Sequence, residues 1–402
     1  MAATIEYARR EPWPTPQEEL LLCAALLRGR ASLAAWDRWK SAVDFDDIDS
    51  ESYRLVPQLY CNLREQGISD PLMGRLKGIY RRTWYQNQLR FHAIARPLRL
   101  LREAEIPVAL LKGAAVIHHY YHDHGMRPMA DFDIYIPRER ASVAIDLLLR
   151  HGCVPRGAPE QELADTIAHP RQHAELEFTS GPGHEFDLHW RLFPESPRND
   201  GEGSIWHDTA EVRALGTSIR VLNPADLLLH ILTHGIVRGA VTAELSRVRW
   251  VSDALAVLRA RDGTPDWQRL CAHANRYGFT LVVRDGLGYL RRTLQADVPE
   301  SVLRDLATRP VRFSDRVVHT ARTVPPERWG TWTATCIGYL DYSWSLPRGI
   351  GLFRMVLGLP DYYRRRWRMR SAWALPLAFA FRALRRIAWT LAPRTSRGNR
   401  AA

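Results

Sequence analysis

Asp131 and Asp133 lie one residue apart in the run Asp131-Phe132-Asp133-Ile134-Tyr135-Ile136, whose apolar positions suit a β-strand. Side chains on a strand alternate faces, so the two carboxylates share one face while Phe132, Ile134 and Ile136 take the other. Neighbouring carboxylates repel each other and lose hydration. A divalent cation removes that cost, and hard oxygen ligands suit magnesium or manganese. A second run, residues 184–190, puts Asp187 on one face with Glu185 and His189, opposite Phe186, Leu188 and Trp190. If the two strands pair, Asp187 is the third carboxylate of a metal-binding cluster with Asp131 and Asp133. Such a cluster suits nucleotidyl transfer, in which metal ions on triphosphate oxygens ease attack by an acceptor hydroxyl. The phosphate side is read at Lys112-Gly113, where a strand meets a helix N-terminus. Free backbone N–H groups favour anions there, glycine allows close approach, and lysine adds charge. Arg127, four residues before Asp131, is a further candidate for phosphate oxygens.

The elements that must hold these residues follow from periodicity and punctuation. Residues 17–27, 31–40, 52–65 and 72–101 show helical spacing, with Gly29 and Gly67 as stops and Pro97 as a bend or restart. Residues 108–111 form a short apolar strand and 114–121 a helix. A second strand covers 131–136, and a helix covers 138–150, ended by Gly152. Residues 173–179 and 184–190 flank Gly181-Pro182-Gly183 as a hairpin. Asn223-Pro224 opens a helix over 223–261, and 266–345 reads as mostly helical. The expected class is α+β, a small mixed-sheet core between helical regions. The expected divisions are an N-terminal helical region 1–104, the α/β core 105–200, a helical domain 201–345 and a basic tail 346–402.

Three segments together carry a resemblance. They are Leu110-Leu111-Lys112-Gly113-Ala114-Ala115, then Gly125-Met126-Arg127-Pro128-Met129-Ala130-Asp131-Phe132-Asp133, then Phe186-Asp187-Leu188-His189-Trp190-Arg191. The chain resembles, over residues 17–260, the uncharacterised nucleotidyltransferase family of the polymerase-β-like superfamily. That resemblance implies metal binding by Asp131 and Asp133, a metal-ligand or base-like role for Asp187, and nucleotide-phosphate contact at Gly113. It departs from the wider superfamily in having Lys112-Gly113 where Gly-Ser is usual, and in placing Asp131 18 residues after Gly113. The expected activity moves an NMP group from an NTP to an acceptor that the sequence does not identify. The alternative is a non-catalytic nucleotide-binding module that has kept the fold.

Other features bound the setting. Five scattered cysteines without a Cys-x-x-Cys pair suggest neither a disulfide framework nor a thiolate zinc site, and reduced thiols fit a cytoplasmic protein. The first 16 residues lack a signal-peptide pattern, and no run of 18 apolar residues exists. The formal charge of +12 is uneven: residues 361–402 hold 11 arginines and one acid, which leaves +2 for residues 1–360. Residues 362–391 interleave arginines with aromatic and apolar residues. They read as an amphipathic segment on an anionic membrane surface or as a helix packed on the body, with nucleic acid less favoured. His118 and His122, at i and i+4, suit either a transition metal or a polar helix end. His230 and His234 repeat that spacing without an intervening glutamate, which favours helix packing. Arg249 and Asp253 have the spacing of a helix salt bridge. His189 is either a substrate-orienting group or a structural hydrogen-bonding one.

Overall fold

The computed structural model describes residues 12–156, 160–168, 173–180, 184–194, 196, 202–214, 217–238, 247–260 and 265–323. The chain divides after Gly330, and all described residues belong to the first unit. The hairpin turn at 181–183, the stretch 324–345 and the basic tail 346–402 lie outside the described residues.

The N-terminal helices are α1 (Pro16–Leu26), α2 (Gly29–Ala42), α3 (Ser50–Tyr53), α4 (Val56–Glu65) and α5 (Met73–Glu103). Thr15 caps α1 reciprocally with Glu18, satisfying two backbone donors that a helix start leaves open. Gly29, expected to close α1, instead opens α2 with φ +61°, and α1 already ends at an extended Leu27. Pro97 interrupts nothing: α5 is assigned as one helix of 31 residues through it.

The sheet region begins with β1 (Ala109–Leu110), α6 (Lys112–Val116) and a π-helical turn at Ile117–Tyr121 that ends at left-handed His122. Then come β2 (Phe132–Tyr135), α7 (Ala141–Arg150), β3 (Val154–Pro155), α8 (Glu160–Ala168), β4 (Glu175–Thr179) and β5 (Glu185–His189). After α9 (Gly203–His207), a second hairpin, β6 (Ala210–Ala214) and β7 (Thr217–Val221), returns to the same sheet. Its strand order is β3-β4-β5-β2-β1-β7-β6. β2 runs parallel to β5, and β1 runs antiparallel to β2 and parallel to β7, so the sheet is mixed and the class is α+β.

The C-terminal helices are α10 (Pro224–Thr233), α11 (Arg249–Leu258), α12 (Trp267–Tyr277), α13 (Thr280–Leu294), α14 (Glu300–Thr308) and α15 (Phe313–Thr323). The single helix expected over 223–261 is thus two. Asn223 caps the first by accepting from the Ala225 N–H. No helix among the described residues is long and apolar enough to cross a membrane.

The apolar residues of β2 and β5 join the main core. Phe132, Phe178, Phe186 and Leu188 are at most 1% exposed, and Phe91 of α5 meets Phe132 edge-on at 5.1 Å. A long helix therefore packs directly behind the strand that carries Asp133.

His230 of α10 is buried in this core with Nε2 unpartnered, while Nδ1 lies 3.2 Å from the Leu192 carbonyl. Burial first, then the charges of Lys112 and His189, push its pKa down to about 3. The unfolded chain binds a proton near pH 6.5 that the folded chain refuses. This group's stability contribution is therefore complete above pH 6.5 and is lost as pH falls towards 3, by about 1.4 kcal/mol per unit. Urea melts of wild type and His230→Gln between pH 6.5 and 4.5 check this. The variant should show the shallower pH slope, and equal slopes would contradict the assignment.

Candidate metal centre and active site

Strand register builds the site. Phe132 pairs with Phe186, Asp133 with Asp187 and Tyr135 with His189 across the parallel β2–β5 pair. Alternation sends the phenylalanines inward and leaves Asp133, Asp187 and His189 on the opposite face. In the antiparallel β4–β5 pair, Glu175 comes opposite His189 and Glu177 opposite Asp187. Ligand atoms of Asp133, Asp187 and His189 all lie within 4.8 Å of one another. Among the described residues this is the one group of three or more His, Cys, Asp or Glu side chains so arranged.

Charge within the cluster is unevenly shared. The Lys112 ammonium donates to Asp133 Oδ1 at 2.5 Å, and His189 Nε2 lies 2.9 Å from the same oxygen. On its other side His189 Nδ1 meets Glu175 Oε2 at 2.9 Å. Burial alone would raise the Asp133 pKa, but the Lys112 charge and the His189 hydrogen bond hold it well below the usual carboxylate range. Burial and the Lys112 charge oppose an imidazolium at His189. Its hydrogen bonds to Asp133 and Glu175 win, raising its pKa to about 9. Asp187 feels the charges of His189 and Lys112 only through space. No hydrogen-bond or ion-pair partner reaches its carboxylate among the described residues. Burial, with the Asp133 charge beside it, raises its pKa to about 7.

Asp131 precedes β2 and is half-exposed, outside the tight group but near enough for its charge to act on Lys112 and Asp187. Of the three expected metal ligands, the fold therefore brings Asp133 and Asp187 together directly and leaves Asp131 at the rim.

Lys112, Gly113 and Arg127 are also close to one another, in an arrangement of their own. Lys112 begins α6 with φ +41°, a left-handed conformation uncommon for a side-chain-bearing residue. A Cβ on Gly113 would lie 2.1 Å from Arg127 Nη1 and 2.8 Å from Met129 Sδ, so only glycine fits beneath them. Arg127 is 6% exposed and bidentate with Asp253 of α11, with Nε–Oδ1 and Nη2–Oδ2 both 2.8 Å. Its guanidinium faces this buried carboxylate. Asp253, expected to pair with Arg249 on its own helix, accepts from Arg127, 126 residues away in sequence, and its charge also acts on Arg249. Asn87 of α5 donates to the carbonyls of His124 and Arg127, both at 2.7 Å, and fixes the loop before β2.

Sequence reasoning missed Glu175 and Asp253 and left the role of His189 open. Glu175 was within reach, since it and His189 lie equally far from Pro182 along the hairpin. Asp253 had no local signal.

A family model described as uncharacterised nucleotidyltransferase matches residues 50–295. The chain belongs to that nucleotidyltransferase family. No curated protein and no solved structure matches it. The matched span of this nucleotidyltransferase-family chain includes β1 through β7 together with α3 through α13. The helices that hold Asn87 and Asp253 are thus part of the family unit.

Removing one member of a buried ion pair leaves the other charge uncompensated, at a cost of about 3–5 kcal/mol. Arg127→Met and Asp253→Asn should each destabilise the protein by that order in denaturant melts. Replacing both should cost clearly less than the sum. Strict additivity would show that the two side chains are not coupled.

Proposed function

We propose that the chain catalyses metal-dependent nucleotidyl transfer, moving an NMP group from an NTP to an acceptor hydroxyl or phosphate with release of pyrophosphate. The observation that carries this reading is the register pairing of buried Asp133 with Asp187, on a chain of nucleotidyltransferase family. The donor set suits a divalent cation. Asp187 is a half-buried carboxylate with no hydrogen-bond or ion-pair partner among the described residues, and two carboxylates with an imidazole converge within 4.8 Å. Asp133 and Asp187 would hold magnesium or manganese, with Asp131 at the rim and His189, both ring nitrogens engaged by carboxylates, supporting Asp133 from behind, and the ion would neutralise triphosphate oxygens.

The remaining roles belong to the protein's own groups. Lys112 keeps Asp133 ionised, and its ammonium is the compact positive charge available to the departing pyrophosphate. His189, gripped by Glu175, orients the Asp133 carboxylate. Asp187, with one carboxylate oxygen for the ion, has its second oxygen to take the acceptor's proton, and no hydrogen-bond partner among the described residues occupies it. In the balanced step an acceptor oxygen bonds to the α-phosphorus, the bond to the pyrophosphate oxygen breaks, and the acceptor proton passes to Asp187. Arg127, committed to Asp253, serves as a positioning residue above Gly113, whose backbone is the contact for phosphate oxygens beside Lys112. The protein would act in the cytoplasm, with residues 362–391 as a contact to an anionic membrane surface.

Titration with Mn2+ followed by electron paramagnetic resonance should show one site in the wild type. Asp187→Asn and Asp133→Asn should each weaken it by about 100-fold, in line with loss of a direct ligand charge, while Asp131→Asn weakens it less. Manganese binding unchanged in both inner variants would sink the assignment. Lys112→Met should lower NTP affinity and the rate of pyrophosphate release together. Wild-type turnover in that variant would remove Lys112 from the phosphate side.

A further inference from the structure

The formal charge of the body is concentrated on one helix. α5 carries Arg75, Lys77, Arg81, Arg82, Arg90, Arg96, Arg99 and Arg102 against a single acid, Glu103. That is +7, and it leaves the rest of residues 1–360 at −5. The inner face of the helix is consumed by packing through Leu76, Phe91, Ile94, Leu98 and Leu101. Its outer face exposes Lys77, Arg81, Arg82, His92, Arg96 and Arg99. Among them stand Trp84, 45% exposed, Tyr85, 60% exposed, and Leu89, 41% exposed. Helical spacing puts Lys77, Arg81 and the Trp84–Tyr85 pair on successive turns of one face. Among the described residues Lys77, Arg81, Arg82 and Arg99 have no ion-pair partner.

This face leads to the carboxylates. Arg82 and Arg90 are two turns apart, and Arg90 Nε donates to the Ala130 carbonyl at 3.0 Å, next to Asp131. Arg90 also lies within the field of Asp131 and Glu185.

We propose that the outer face of α5 docks single-stranded RNA and delivers its end to the Asp131–Asp133 rim, so that the acceptor is an RNA terminus. Cations spaced along a helix track a phosphate backbone, and exposed Trp and Tyr rings stack on unpaired bases, which RNA ends and loops present. A membrane fits this face less well, because an interfacial helix must bury an apolar side and that of α5 already faces the core. The docking stands on charge and exposure alone. Only the acceptor role rests on the nucleotidyl-transfer reading.

The test uses the full chain and a labelled single-stranded RNA of about 20 nucleotides, long enough to cover one site, read by fluorescence anisotropy. Two variants avoid the carboxylate site: Arg81→Glu/Arg82→Glu and Trp84→Ala/Tyr85→Ala. Each should weaken RNA binding at least about tenfold, with melting temperature and Mn2+ binding unchanged. The charge variant should also lower the salt slope by about 0.7 per cation removed. The proposal is overturned by absent wild-type binding, or by both variants binding as tightly as wild type, which would assign RNA to residues 361–402. It is overturned equally if duplex DNA binds as well as RNA and the aromatic variant has no effect. Loss of co-sedimentation with phosphatidylserine–phosphatidylcholine vesicles in the charge variant, with RNA binding intact, would assign the face to a membrane. RNA binding that depends on α5 without transfer of label from an NTP would uphold docking and count against the transfer reading.

Discussion

Asp133 is a carboxylate held 3% exposed against an apolar sheet, and much of the surrounding chain is arranged to keep it ionised. Two cations, Lys112 and His189, converge on its Oδ1. The cost of that convergence is visible at Lys112, whose left-handed backbone is the kind of conformation that costs about 1–3 kcal/mol and persists only where the surroundings enforce it. Glu175 then secures His189 from the far side. Because both positive groups lean on Asp133, its strand neighbour Asp187 has neither to itself. It is left protonating near neutrality at the place where a cation would relieve it most.

The helices outside the sheet are structural members of the same site. Arg127 crosses above Gly113 to reach Asp253, so α11 ties down the loop that leads into β2. Asn87 and Phe91 of α5 hold the same loop and strand from the other side. This explains in physical terms why the family unit extends from residue 50 to 295 rather than stopping at the sheet. Without those helices the buried guanidinium and the carbonyls of the loop would have no partners.

Much of this was legible in the residues. Alternation along 131–136 and 184–190 separated carboxylates from core aromatics correctly, and the Gly181-Pro182-Gly183 signal placed β4 against β5. Of the glycine stops, Gly67 and Gly152 do follow α4 and α7 with positive φ, and Gly29 was misread. Gly29 opens a helix instead of closing one, because its positive φ serves the entry of α2. The β6–β7 hairpin was not anticipated, and its joining of the sheet depends on parallel pairing with β1, a long-range contact.

The sequence by itself determined which side chains share a strand face, since the face on which a strand residue points is a local property of the backbone. It put Asp131, Asp133 and Asp187 forward as one carboxylate cluster, with Lys112 as the nearby cation. Only the tertiary structure decided that His189 completes the group, that Asp131 stands at its rim, and that Arg127 is committed to Asp253. Those outcomes depend on strand order and on a contact spanning 126 residues. Periodicity carries no information about which distant element will be packed alongside.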